Sequence, residues 1–211
     1  MMKEACVETL EEAISAEKKG ADRIELCADL HLDGLTPSFE LIQRTCSTLK
    51  IPVMVMIRPR GGDFVYSEEE ISQMKTDIDK AKKAGAAGVV FGLLTKDNQI
   101  DTENSRVLAE YAKPLPVTFH KAIDLLENPV EGAKILSEIS GITRILTSGG
   151  KTTAKDGSGV IREMIEVAAG KIVILVAGKV TRENLNEIEK ITGGTEFHGK
   201  KIVGDLVSAD L

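Results

Sequence analysis

One of the three histidines in this 211-residue chain lies in the segment VTFHKAID, directly after a short apolar run. An imidazole titrates near neutral pH, so His120, oriented by a carboxylate such as Glu25 or Asp124, suits a general acid or base. Asp124 either orients a basic neighbour in this way or caps a loop. Side chains alternate along a strand, so Lys121 should turn away from the face that carries His120. We therefore predict an inward His120 and an outward Lys121.

Two arginines flank a proline in the segment MIRPRGGDF. A guanidinium group binds carboxylates and phosphates through paired hydrogen bonds, so Arg58 and Arg60 are candidate contacts for a small anionic substrate. The alternative is an ordinary solvated loop with an ion pair to Asp63. Thr147 and Ser148, in the segment RILTSGG, are further candidate substrate contacts.

Several polar or sulfur-containing residues recur two positions apart within apolar runs. The pairs are Glu4 with Cys6, Glu25 with Cys27, Met54 with Met56, and Thr118 with His120. Residues two apart share one face of a strand, so each pair should face the same side. Cysteines and methionines in strands are most often core residues, and that interpretation stays open for each of these.

The composition limits the classes of partner. With 27 basic and 33 acidic residues the net charge is −6, and no Lys/Arg-rich block offers a surface for nucleic acid. The longest apolar runs, such as IVILVAG, are far shorter than the roughly 20 residues of a membrane-spanning helix. The acidic N-terminal segment lacks the features of a signal peptide, so we expect a cytoplasmic protein. Its three cysteines should then be free thiols.

Short β-branched runs alternate with amphipathic segments along the chain. Candidate strands lie at residues 4–7, 23–27, 53–58, 88–93, 117–120, 144–147, 172–177 and 196–198. Between them, Thr9 with Glu12 and Ser67 with Glu70 have the spacing of helix capping boxes. Strict alternation predicts parallel strands, and eight units within a single domain of residues 1–211 predict a (β/α)8 TIM-type barrel. A doubly wound open sheet is the alternative.

In a parallel barrel, the loops that carry chemistry meet at the carboxyl ends of the strands. The residues expected at this one mouth are Glu25, Arg58, His120 and His198. The tail GKKIVGDLVSADL is short for an eighth helix and contains a glycine, so the eighth unit looks truncated. Apolar surface exposed near the first and last strands would favour a homodimer or a larger homo-oligomer.

Seven segments of the chain resemble, in order and spacing, the signature segments of the CutC family, which is named for copper homeostasis. They are EACVET, DRIELCADL, DGLTPSFELI, VMIRPRGGDFVYSEEE, GVVFGLL, VTFHKAID and RILTSGG. The resemblance implies a TIM-type barrel, a cytoplasmic location and copper handling in which Cys6 and Cys27 bind Cu(I) as thiolates. The polar mouth residues that it implies are Glu25, Arg58, Arg60, His120, Asp124 and His198.

Two functions are compatible with these residues. The first is copper homeostasis, in which Cys6 and Cys27, on adjacent strands about 4.8 Å apart, bridge one Cu(I) ion with help from Met54 or Met56. The second is an enzyme that acts on a small phosphate or carboxylate. In that enzyme His120 is the general acid or base, and the further candidate catalytic residues are Glu25, Asp124 and His198. The expected ligand is therefore a copper ion or a small anion.

Overall fold

Eight strands close into a parallel barrel in the computed structural model, which describes residues 1–206. The strands are β1 (Met2–Val7), β2 (Arg23–Leu26), β3 (Val53–Met56), β4 (Gly88–Phe91), β5 (Val117–Phe119), β6 (Ile142–Thr147), β7 (Val173–Val176) and β8 (Glu196–Gly199). Each strand pairs in parallel with the next, and β8 pairs with β1. The predicted (β/α)8 barrel is confirmed, and the open sheet is wrong.

Seven α-helices follow the first seven strands over the described residues. They are α1 (Leu10–Lys18), α2 (Phe39–Thr48), α3 (Glu68–Ala84), α4 (Thr102–Ala112), α5 (Pro129–Ser137), α6 (Ser158–Ala168) and α7 (Leu185–Thr192). Within residues 1–206, no helix has the combination of length and hydropathy that a bilayer-spanning segment requires.

Local capping explains where α1 and α3 begin. Ser67 and Glu70 form the predicted capping box, because the hydroxyl of Ser67 accepts the N–H of Glu70 and the carboxylate of Glu70 accepts the N–H of Ser67. The second box is only half formed. The hydroxyl of Thr9 accepts the N–H of Glu12, as expected. The carboxylate of Glu12, however, accepts the N–H of Glu8 and not that of Thr9.

The segment after β8 contains no α-helix as far as residue 206. Thr181 forms a bridge with Lys201, and Ile202 and Val203 are buried against the core. Residues 207–211 lie outside the described residues. The truncation of the eighth unit, and the homo-oligomer inferred from it, therefore stay predictions.

The strand register aligns the functional side chains inside the barrel. Cys6 pairs with Glu25 across β1 and β2, and Glu25 pairs with Met54 across β2 and β3. Gly88, the partner of Met54 on β4, leaves room for this side chain, since a Cβ there would lie 2.8 Å from the Met54 sulfur. The first three strands therefore place thiol, carboxyl and thioether groups side by side.

Gly157, which precedes α6, is a position where any side chain should be costly. An added Cβ would overlap the backbone oxygen of Ser148 and lie 3.1 Å from the Cα of Gly149. These backbone atoms cannot swing aside, so we expect Gly157→Ala to lower the free energy of unfolding by about 2–3 kcal/mol in urea denaturation. Gly159 is the matched control, because nothing lies within 4 Å of its missing Cβ. Gly159→Ala should stabilise the protein by about 0.5 kcal/mol, and equal effects at both positions would contradict this explanation.

Candidate functional site

A cavity of about 480 Å³ lies at the carboxyl ends of the strands. The sequence-predicted residues that line it are Cys6, Glu25, Arg58, His120, Asp124 and His198. Those that do not line it are Cys27, Arg60, Thr147 and Ser148. The structure thus brings the four residues expected at the mouth around one space, while their roles in binding or catalysis stay predictions.

Sulfur atoms form a buried cluster beside this cavity. Its members are Cys6, Cys27, Met54 and Met56, packed with Val90. The sulfur atoms of Cys6 and Cys27 and a carboxylate oxygen of Glu25 all lie within 4.8 Å of one another. Cys27 is fully buried, whereas Cys6 reaches the cavity wall. Two thiols and one carboxyl group therefore lie close together at the ends of β1 and β2, and the side chains of Met54 and Met56 pack beside them from β3.

The two thiols differ strongly in acidity. A hydrogen bond from Cys27 is the main cause that lowers the pKa of Cys6 to about 5, and His198 adds to this effect while burial opposes it. The same hydrogen bond, followed by burial, raises the pKa of Cys27 well above 9.0. Cys6 is therefore the more acidic thiol of the pair, and Cys27 is the one that keeps its proton.

His198 lies between two glutamates. Its Nδ1 is 2.9 Å from Oε1 of Glu4, and its Nε2 is 3.7 Å from Oε2 of Glu25. Burial alone would lower the pKa of His198, but the neighbouring Glu25, Cys6 and Glu4 raise it well above 6.5. Burial is also the main cause that raises the pKa of Glu25 to about 8. An imidazolium ion therefore faces the Cys6 thiolate, and each charge stabilises the other.

Glu4 anchors this network, although the sequence indicated only that it shares a face with Cys6. Glu4 is 1% exposed, and its Oε2 accepts a hydrogen bond from Nε of Arg23. Arg23 also donates to Glu196 at 2.6 Å. Burial would raise the pKa of Glu4, but His198 and Arg23 lower it overall. Glu4 is therefore an ionised, buried carboxylate that orients the ring of His198.

The ring of His120 is oriented by its own backbone turn. Its Nδ1 accepts the N–H of Ala122 at 3.2 Å, at the start of the 3₁₀ helix Lys121–Leu125, and its Nε2 has no partner. Burial, with the charge of Arg58, lowers the pKa of His120 to about 3, so the ring is neutral. The predicted orientation by Glu25 or Asp124 is wrong, because the turn brings a backbone N–H to Nδ1 instead. The acid–base role of His120 stays a prediction.

Asp124 caps the loop after β6, which is one of the two roles expected for it. Its carboxylate accepts the hydroxyl of Thr147 at 2.5 Å, the hydroxyl of Ser148 at 2.9 Å and the N–H of Gly150 at 2.9 Å. Burial would raise the pKa of Asp124, but Lys121 and these donors lower it. Thr147 and Ser148 therefore bind a carboxylate of the protein itself.

Lys121 lines the cavity, so the prediction that it points outward is wrong. Strand β5 ends at Phe119, and the 3₁₀ helix begins two residues later. The alternation of strand side chains therefore does not extend to Lys121. Its ammonium group instead lies 2.8 Å from Oδ2 of Asp124.

Both candidate substrate-binding arginines are engaged within the protein. Arg58 ties two loops together by donating to three carbonyl oxygens, those of Leu32 at 2.7 Å, Gly34 at 3.3 Å and Gly62 at 2.9 Å. Only its Nε lacks a partner. Arg60 forms ion pairs with Glu70 at 2.5 Å and Asp63 at 3.0 Å. Of the two interpretations of these arginines, the ion pair with Asp63 is therefore the one that applies to Arg60.

Sequence reasoning did not single out two other residues of the cavity wall, Phe64 and Lys200. The ring centroid of Phe64 lies 4.8 Å from Cζ of Arg58 and 4.8 Å from the ring centroid of His120. Lys200 directly follows β8, and that position at a strand end was the signal that could have identified it. Phe64 lies in a loop without regular structure, where no spacing rule applies.

Comparison with known proteins identifies the family of the chain. The sequence model that describes the CutC family matches residues 1–203. The chain belongs to the CutC family. It is 48% identical over 195 residues to the copper homeostasis protein cutC homolog of Homo sapiens, and the match covers 92% of this chain and 71% of the human protein. It is 41% identical to the family protein CutC of Pasteurella multocida, and that match covers 92% of this chain and 80% of the P. multocida protein.

A crystal structure from the CutC family has the same barrel. The putative copper homeostasis protein CutC from Streptococcus agalactiae matches with a TM-score of 0.91 and 35% sequence identity. The match covers 96% of this chain and 99% of the S. agalactiae chain. The resemblance carried by the seven sequence segments is thereby confirmed, both in family and in fold.

Proposed function

We propose that this member of the CutC family serves in copper homeostasis and binds one Cu(I) ion through Cys6 and Cys27. The buried sulfur cluster is the observation that carries the proposal. Cu(I) is a soft ion that prefers thiolate and thioether ligands, and the cluster offers two of each. The names of the human and S. agalactiae relatives, which refer to copper homeostasis, support the same role.

The protonation states of the cluster suit the uptake of a cation. Cys6 is already a thiolate, and it lines the cavity through which an ion would arrive. Cys27 must lose its proton to become a ligand, because metals bind the thiolate form. Its thiol donates to Oε2 of Glu25 at 3.5 Å, and the proton is released when the metal binds. Met54 and Met56 then supply thioether contacts from the neighbouring strand.

The proposal includes a cytoplasmic location. All three cysteines are free thiols in the structure, and a reducing compartment would keep them available for copper.

Anaerobic titration of the reduced protein with Cu(I), against a competing chelator, tests the proposal. We expect one copper ion per chain to be retained. Cys46→Ser is the matched control, because Cys46 lies on α2 outside the sulfur cluster, and burial raises its pKa to about 11. The variant should retain the same single ion. Copper uptake that falls in proportion to the number of thiols would indicate non-specific capture and refute the proposal.

The cavity wall favours a second candidate function, an enzyme that acts on a small carboxylate or phosphate. The wall carries the guanidinium group of Arg58 and the ammonium groups of Lys121 and Lys200. A cavity of about 480 Å³ is within the range of small-molecule sites. In this candidate function the anion occupies the cavity, and His120, Glu25, Asp124 and His198 remain the candidate catalytic residues.

A further inference from the structure

We propose that the cavity binds a carboxylate or phosphate oxygen through two N–H donors, Nε2–H of His120 and Nε–H of Arg58. This inference rests on the second candidate function, whose substrate-binding atoms it names, and it does not depend on copper binding. It also makes His120 a hydrogen-bond donor to the ligand.

Several buried polar atoms without partners belong to residues that line this cavity. Within residues 1–206, seven buried side-chain nitrogen or oxygen atoms lack a hydrogen-bond partner, and three of them belong to cavity-lining residues. These three are Oε1 of Glu25, Nε of Arg58 and Nε2 of His120. Arg58 is 2% exposed and His120 is 4% exposed. Folded proteins satisfy nearly all buried donors, so two unpaired donors on residues that line one cavity indicate a missing acceptor.

The donor character of His120 is fixed by its surroundings. Because Nδ1 accepts the N–H of Ala122, the neutral ring carries its proton on Nε2. Gly92 makes room for the ring, since a Cβ there would overlap Nδ1 and lie 2.6 Å from Cε1 of His120. The low pKa of His120, about 3, keeps this form populated at neutral pH. The ring therefore offers the N–H group of Nε2 to a ligand, because the lone pair of Nδ1 already accepts the N–H of Ala122.

Arg58 is fixed in an equivalent way. Its terminal nitrogens are held by three backbone carbonyl oxygens, which leaves Nε as its unpaired donor. The ring centroid of Phe64 lies 4.8 Å from Cζ of Arg58 and 4.8 Å from the ring centroid of His120, so one apolar side chain packs against both donor residues. Such packing lowers competition from water and strengthens a hydrogen bond to a charged acceptor.

The charges around the cavity favour an anion as that acceptor. The cationic side chains on the wall are Arg58, Lys121, Lys200 and His198, and the acidic side chains are Glu25, Asp33, Asp124 and Cys6, whose thiolate faces the imidazolium of His198. Asp124 is already paired with Lys121 at 2.8 Å, and Glu25 faces His198 at 3.7 Å. Asp33 is exposed. The positively charged guanidinium group of Arg58 and the unpaired N–H groups of Arg58 and His120 thus favour a carboxylate or phosphate as the acceptor.

Nitrogen-15 NMR of the histidine rings tests the inference, with acetate and inorganic phosphate as separate probes. The chain has three histidines, so comparison with His31→Asn and His120→Phe assigns the His120 signals. We expect the neutral Nε2–H form of His120 at pH 7, and a shift of its Nε2 resonance on addition of a probe while His31 does not move. His120→Phe should weaken binding of that probe about tenfold, whereas His120→Gln, which keeps an N–H donor, should retain most of the affinity.

Thermal shifts on the same samples separate this inference from the candidate function on which it rests. Stabilisation by a probe without any change at His120 would overturn the donor pair but leave an anion-binding cavity. Neither stabilisation nor an NMR change with either probe would overturn both. The probe that produces both effects distinguishes a carboxylate from a phosphate ligand. An unchanged circular dichroism spectrum of His120→Phe would show that the barrel of this variant is folded.

Discussion

Replacing Cys6 or Cys27 by serine should weaken Cu(I) binding by about a thousandfold, or about 4 kcal/mol, in competition with a chelator. A hydroxyl group is a hard and neutral ligand, so it replaces a thiolate poorly at a Cu(I) ion. The two sulfur atoms lie within 4.8 Å of each other, so each variant removes half of the thiolate pair. Circular dichroism would check that the barrel remains folded.

Two further variants make this copper prediction specific. Met54→Leu keeps the side-chain volume but removes a thioether, and it should weaken binding by about tenfold, less than either cysteine variant. Cys46→Ser should leave the affinity unchanged, because Cys46 is not a member of the buried sulfur cluster. Equal losses for all three cysteine variants would show that the chain captures copper at any thiol.

Local sequence rules predicted the barrel well because each unit repeats the same signals. All eight predicted strands exist, although most end earlier than predicted. Strand β3 ends at Met56, two residues before the predicted end, and β5 ends at Phe119. Alternation therefore placed Cys6 and Met54 correctly inside the barrel, but it failed for Lys121, which lies beyond its strand. Past a strand end, the orientation of a side chain depends on turns and hydrogen bonds that spacing does not encode.

In the candidate site, contacts between neighbouring strands could be predicted from the sequence, whereas contacts between distant segments could not. The proximity of Cys6 and Cys27 followed from neighbouring strands, which successive units of a barrel supply. The contact between Glu4 and His198 joins residues 194 positions apart, and it exists only because β8 closes against β1. The sequence marked both residues as polar groups in apolar strands. It did not show that the closed barrel would pair them.

Glu4→Gln should lower the free energy of unfolding by about 3–5 kcal/mol, the usual cost of removing one partner from a buried ion pair. The glutamine keeps the size of the side chain but removes the negative charge that faces Arg23 and His198. Both cations would then remain in the barrel interior without their shared carboxylate. Urea denaturation at pH 7 measures the difference.

Two controls test this stability prediction. One is the same measurement at acidic pH, and the other is the same substitution in an exposed ion pair. Because the folded-state pKa of Glu4 lies below the ordinary glutamate value of 4.5, its contribution to stability is present above about pH 4.5 and is lost as the pH falls through the folded-state pKa. The difference in the free energy of unfolding between the parent protein and Glu4→Gln should therefore become smaller in acid. Glu138→Gln makes the same chemical change in the exposed pair with Lys171 and should leave stability unchanged within error. If the two proteins differ in the free energy of unfolding by the same amount at pH 7 and pH 3, the glutamine side chain disturbs packing. The charge of Glu4 then does not stabilise the barrel.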